Sequence, residues 1–276
     1  MRRIVSVCLA ALVMVSCSKS DQPAMPTAPT PQSLYVASLR FEPRALNGGD
    51  SSHASLTLNL PSPTPTRIAL SSNASAAVVP ASVTVPAGST SAGFVMTTEP
   101  VTENTVANIT ALVGGRETRL QLYVWPVAEN SIWYESTPME FLGGAGAGRL
   151  DVATARMQAT CDQNALYSQI YGPSESWMAD FYVPRGLPMT PGTYSFSGPR
   201  DPSRPFLLLI GRGHACFASG EFTIETAELN PSGAVERFVA TFTQRCQDQG
   251  AVIRGEIRLA NVPRGAGGAT PSRCTR

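Results

Sequence analysis

The apolar and polar positions divide the chain into stretches of different texture. After Met1-Arg2-Arg3, Ile4 to Ser16 is a nearly unbroken apolar run of 13 residues. A membrane-spanning helix needs about 20 such residues, so the run fits the apolar core of an export signal over residues 1–16. Ser18 to Ser33 is rich in Ser, Pro and Thr and has almost no large apolar side chain. It cannot bury enough surface to offset the cost of ordering and predicts an extended tether of about 3 Å per residue.

From residue 34 to 126, short segments alternate with a period of two. Leu56, Leu58 and Leu60 point one way with Ser55, Thr57 and Asn59 opposite, and Ile68 with Leu70 and Val83 with Val85 repeat the pattern. Phe94 and Met96, Val106 to Val113 and Leu120 to Val124 follow, between breakers at Asn47-Gly48-Gly49, Pro61 to Pro65, Pro86-Ala87-Gly88 and Gly114-Gly115. About seven such runs predict a two-sheet sandwich, and Gly114-Gly115 predicts a tight hairpin. Pro126 and Glu129-Asn130-Ser131 mark a boundary.

A second β-sandwich is expected over residues 130–263. Trp177, Ala179, Phe181 and Val183 share one face, and Phe206 to Ile210 reads as a strand buried on both sides. Ile253, Ile257 and Leu259 lie opposite Arg254, Glu256 and Arg258. Asn230-Pro231-Ser232-Gly233 is a strong turn. A three-residue loop over Pro231 to Gly233 sets Phe222 opposite Phe242 and Ile224 opposite Ala240, so every large apolar side chain falls on one face. Cys216 and Cys246 then lie diagonally near the open end, and a disulfide between them is expected in an oxidising compartment. Closing that loop contributes about 3–4 kcal/mol in the chain-entropy model. Cys161 and Cys274 are paired by default. A free or intermolecular Cys274 is the alternative, because it sits in a Gly-rich tail over residues 264–276.

Three stretches carry resemblances. Met14-Val15-Ser16-Cys17 resembles the lipobox of bacterial lipoproteins, with Met14 where leucine is commoner. The resemblance implies a diacylglycerol thioether on Cys17, cleavage before it and N-acylation, hence a fatty-acyl (palmitate-type) anchor in the bilayer. Ser18 in the next position implies the outer membrane in a diderm envelope. VVPASVTVPAGSTSAGFVMTT (Val78 to Thr98) with ANITALVGG (Ala107 to Gly115) is similar to bacterial immunoglobulin-like domains, which act mostly as spacers or binding modules. WMADFYVPRGLPMTPGTYSF, GRGHACFASGEFTI and SGAVERFVATFTQRCQ resemble an all-β domain of unknown activity that follows immunoglobulin-like repeats in secreted bacterial proteins. That pattern includes cysteines at Cys216 and Cys246.

Composition changes the picture little. Hydrophobic residues are 43% and charged residues 15%, with 23 Gly and 23 Pro, as suits short strands and many turns. Lys19 is the only lysine. Losing Arg2 and Arg3 with the signal leaves 19 basic side chains against 20 acidic, so no electrostatic footprint for nucleic acid is expected.

Candidate chemistry is sparse. His53 and His214 belong to no metal-ligand spacing, and no nucleophile elbow, phosphate loop or dinucleotide fingerprint occurs. No cofactor, metal or catalytic residue is expected. Asp180, Glu221 and Glu256 are carboxylates of the type glycoside hydrolysis needs, but alternation places Asp180 and Glu256 on the solvated faces. Trp133, Tyr134 and Tyr171 are candidates for a sugar-stacking platform, with core or interface packing the preferred reading. The expected function is a non-catalytic envelope lipoprotein that presents a surface to a protein or glycan. A hydrolase of an envelope glycan and a structural subunit of an outer-membrane assembly are the alternatives.

Overall fold

The alternating runs of the first half become nine strands. They are β1 (Val36–Glu42), β2 (Ala45–Asn47), β3 (Ser51–Leu58), β4 (Thr66–Ser72), β5 (Ala77–Val78), β6 (Ser82–Val85), β7 (Ser91–Thr98), β8 (Thr105–Val113) and β9 (Arg116–Trp125). The computed structural model describes residues 33–137, 146–162, 164–215, 218–230, 234–246 and 250–263. Every regular element among them is a strand. One sheet has the order β1-β3-β7-β5 and the other β2-β9-β8-β4-β6, with β2 and β9 the parallel pair. Leu39, Leu56, Leu58 and Met96 of the first sheet meet Ile68, Ile109, Leu122 and Val124 of the second in one core. Gly114 and Gly115 both take positive φ, 58° and 76°, with Val113 facing Arg116. That is the predicted two-residue hairpin, at positions where a Cβ would be strained.

Three of these strands were not expected, β1, β2 and the two-residue β5. In β1 the register shifts between Val36 and Ser38, so Val36, Leu39 and Phe41 are the buried residues and the period of two is broken by one. β2 is three residues long and buried throughout. Leu60 lies beyond the end of β3, whose inward row is Ser52, Ala54, Leu56 and Leu58.

Eleven strands follow: β10 (Ser131–Thr137), β11 (Ala147–Asp151), β12 (Arg156–Asp162), β13 (Ala165–Tyr171), β14 (Ser176–Tyr182), β15 (Gly192–Ser197), β16 (Phe206–Gly211), β17 (His214–Ala215), β18 (Ala218–Leu229), β19 (Val235–Cys246) and β20 (Val252–Ala260). They form a six-stranded sheet, β11-β10-β20-β19-β18-β15, and a five-stranded sheet, β12-β13-β14-β16-β17. Phe181 of the five-stranded sheet packs against Phe222 and Phe238 of the six-stranded one, with ring centroids 5.3 and 5.2 Å apart. Trp177, Ala179, Phe181 and Val183 all point inward as expected. In β16, Leu207 and Leu209 are buried but Leu208 and Ile210 only half-buried, so this strand is fully covered on one face and not on two.

The β18–β19 pair has the predicted register at its open end, Phe222 opposite Phe242 and Ile224 opposite Ala240. One bulge after Ile224 moves Ala227 opposite Phe238, and a second before Leu229 restores Leu229 opposite Val235. Paired bulges coil these 12-residue strands without turning the apolar face outward. The expected loop over Pro231 to Gly233 lies outside the described residues, as does the tail over residues 264–276.

Glycine and aromatic residues are matched across the strands of this second sandwich. Tyr134 faces Gly148 and Gly255, Trp177 faces Gly211, Phe196 faces Gly220, and Phe242 faces Gly255. Each ring folds onto the bare backbone: a Cβ at Gly211 would stand 2.3 Å from the Trp177 ring, and one at Gly148 2.3 Å from the Tyr134 hydroxyl. The glycine removes the side chain that would hold the ring off the sheet, and the ring covers backbone that would otherwise be unpacked.

Candidate functional site

Several of the residues singled out from sequence gather in two places, a seam between the sandwiches and the outer face of the five-stranded sheet. The seam begins with β2. Its neighbour in the sheet is β9, and Glu135 of β10 caps the approach to it: Oε2 accepts from the backbone N–H of Arg44 at 2.7 Å and of Ala45 at 2.9 Å. Oε1 lies 3.3 Å from Nε of Arg254. One strand away, Glu256 Oε1 accepts from Nδ2 of Asn47 at 2.8 Å and from Nε of Arg258 at 2.6 Å. Ala45, Trp125 and Trp133 form a small apolar cluster beside these bonds. Residues Leu34 to Arg276 accordingly cluster as one compact unit.

This corrects one expectation. Glu256 does lie on the face opposite Ile253 and Ile257, but it is 6% exposed because the first sandwich covers that face. Burial pushes the Glu135 carboxyl above its ordinary value, even though Arg254 and the two N–H groups pull it down. Trp133 belongs to the seam and Tyr134 to the core, as the preferred reading had it, while Tyr171 is exposed.

Asp180 is the second correction. It too is on the expected outward face, of β14, yet only 4% exposed. The Tyr182 ring, Arg200 stacked over that ring at 4.1 Å, and the backbone N–H of Ser168, 3.1 Å from Oδ1, close over it. Burial pushes its carboxyl up to about 6, against smaller downward pulls from Ser168, Arg200 and Tyr182. The folded chain therefore holds this proton more tightly than the unfolded chain does. The contribution to stability is highest below the ordinary aspartate range, declines as pH rises from about 4 to 6 and is flat above. Asp180→Asn, which keeps an acceptor for Ser168, is expected to add about 1–2 kcal/mol at pH 8 and nothing at pH 4. Urea midpoints of both proteins across that range check it, and parallel curves would refute it.

Asp180 and Glu256 point outward from opposite sheets of one sandwich. Sheets pack about 10 Å apart, and these side chains diverge from there, so the two cannot flank a glycosidic bond at the separations hydrolysis uses. Glu221 is exposed on β18, where its Oε2 accepts from Ser195 Oγ at 3.3 Å. His53 and His214 are exposed on β3 and β17. Among the described residues no group of three His, Cys, Asp or Glu is placed to hold a metal ion. Cys161 and Cys246 are buried at 0% and 8% exposure. Cys17, Cys216 and Cys274 lie outside the described residues.

Sequence reasoning missed Glu175. Its Oε2 accepts from the Tyr134 hydroxyl at 2.8 Å, from Trp177 Nε1 at 3.2 Å and from Nε of Arg212. Burial raises this carboxyl, but the three donors outweigh it and hold it below its ordinary value. One carboxylate thus satisfies the polar ends of two core aromatics. No spacing in the sequence signals it, because two of its partners, Tyr134 of β10 and Arg212 of the turn after β16, lie 41 and 37 positions away. The outer face of the five-stranded sheet carries the exposed rings: Tyr167 and Tyr171 of β13 at 36% and 48%, with Gln169 between them. The chain matches no family model and no curated protein.

Proposed function

We propose that this protein is an exported, lipid-anchored envelope protein in which an immunoglobulin-like sandwich and a second β-sandwich present a binding surface without catalysis. The seam carries this reading. Glu135, Glu256 and Asn47 join the sandwiches through buried polar bonds and cover the outer face of the six-stranded sheet at β10 and β20. The opposite face of the second sandwich, with Tyr167 and Tyr171, is left open to a partner. The tether expected from the composition of residues 17–33 suits a presenting role, and the buried carboxylates are engaged in joining or packing. The lipobox resemblance at Cys17 and the tether over residues 17–33 supply the anchor, favouring the outer membrane.

Membrane fractionation and mass spectrometry test the anchor. The expected result is a mature N-terminal peptide that begins at acylated Cys17, and loss of membrane association in Cys17→Ala. An uncleaved, unmodified N-terminus in a cytosolic fraction would overturn the reading. The same reading pairs Cys216 with Cys246 and Cys161 with Cys274. It is supported by the burial of Cys161 and Cys246 and by the pairing of Cys246 with Ala218, two positions along from Cys216. Non-reducing peptide maps are expected to recover both pairs.

A further inference from the structure

Beyond Tyr167, the open face of the five-stranded sheet ends in a pocket of about 220 Å³. One wall is the Tyr167 ring, set edge-on to Tyr182 with centroids 5.8 Å apart. The other is made by Arg185, Arg200 and Arg204. The wall is built by backbone contacts. Arg185 N–H donates to the carbonyl of Pro202 at 2.8 Å and Val183 N–H to that of Asn164 at 3.0 Å, which ties three loops together.

The acids nearby are largely committed. Asp201 Oδ1 accepts from both the N–H and the hydroxyl of Ser203, at 2.9 and 2.8 Å, and closes its own turn. Arg204 reaches Asp201 only at 3.9 Å, with both side chains well exposed, so the pair holds the guanidinium weakly. Asp180 is buried behind Tyr182, and Asp162 is the remaining carboxylate of the lining. Arg185 makes no ion pair among the described residues. Guanidinium heads gathered at a pocket recognise planar carboxylates in two-point fashion. An exposed tyrosine ring offers a flat apolar surface with a polar tip. The pocket is smaller than one that encloses a drug-sized ligand, so it takes one ring or one chain end. The sheet face beside it displays Tyr171, whose hydroxyl donates to Gln169 Oε1 at 3.0 Å, so amide and phenol groups continue along the strand.

We propose that this pocket binds a carboxylate-bearing sugar of an acidic glycan, with Arg185 and Arg204 on the carboxylate and Tyr167 stacked on the sugar ring. The proposal names the ligand class for the presenting role argued above and rests on that role. Neutral glycans lack the anion that the guanidiniums call for, and an acidic peptide lacks the flat ring that Tyr167 receives.

The test is calorimetric titration of the full chain in mild detergent with oligogalacturonate, with its uncharged methyl ester and with an oligoglutamate peptide. The uronate is expected to bind in the micromolar range, and the ester about tenfold or more weaker, the loss of at least one charge-assisted hydrogen bond. Arg185→Gln and Arg204→Gln are each expected to weaken uronate binding about tenfold. Both side chains are exposed, so the variants fold, and unchanged urea midpoints check that. Tyr167→Ala is expected to weaken the uronate and leave the peptide unaffected. No uronate binding at about 1 mM, equal binding of the ester, equal or tighter binding of the peptide, or variants that bind like the parent would each overturn the proposal. Loss of the Cys17 anchor would instead sink the envelope reading and leave the pocket standing, and cleavage of the uronate would end the non-catalytic reading alone.

Discussion

Gly255→Ala is expected to lower stability by about 3 kcal/mol or more, at the upper end of what overpacking costs. A Cβ at this position would stand 2.2 Å from the backbone oxygen of Trp133 and 2.6 Å from Cζ of Phe242. The ring can swing away, but the oxygen is part of the β10–β20 ladder, in which Trp133 faces Glu256 and Tyr134 faces Gly255. Relief therefore means parting two central strands or displacing a ring from the core. Gly93→Ala is the control. Its Cβ would meet only the carbonyl of Ala54 at 3.5 Å, an ordinary contact, so the change is expected to stay within about 1 kcal/mol and even to stabilise through the unfolded chain. Urea unfolding of the two variants side by side measures the difference, and equal midpoints would refute the account of glycines as seats for rings.

Glu135→Ala is expected to cost about 3 kcal/mol and to make unfolding less cooperative. The carboxylate is 6% exposed and takes three donors at once. Without it the N–H groups of Arg44 and Ala45 lose their acceptor, and among the described residues Arg254 keeps Glu42, at 3.8 Å and largely in solvent, as its one ion-pair partner. Removing one partner of a buried pair leaves the others unsatisfied and costs more than the pair itself contributes. Because the bonds cross between the sandwiches, the loss also weakens their coupling, so two transitions are expected in urea where the parent shows one. Glu221→Ala, which removes an exposed carboxylate from the same sheet, is expected to change stability by less than about 0.5 kcal/mol. A single parent-like transition in Glu135→Ala would show that the seam does not hold the modules together.

Much of the architecture was readable one residue at a time. Strands were legible where alternation is regular, as in β3, β8, β14 and β20, and where a glycine pair bounds them, because a period of two and a positive φ are local properties. The Phe222–Phe242 register was legible because only one slip keeps both apolar rows on the same face. β1 was lost because its bulge breaks the period, and β2 because three residues carry no period at all.

The candidate site was much less legible. Alternation placed Asp180 and Glu256 on the correct faces, but whether a face meets water depends on what else in the molecule reaches it. For Glu256 that is Asn47, 209 positions away in the chain. For Asp180 it is a tyrosine ring and the Arg200 loop.

The order of residues by itself determined an all-β chain, the Gly114-Gly115 hairpin and its inward and outward rows, since each depends on neighbours within a few positions. Only the tertiary structure decided which outward rows are buried, which carboxylates join the sandwiches and which arginines gather beside Tyr167. Those outcomes come from contacts between strands far apart in the chain, and no local pattern encodes the desolvation that gives them their effect.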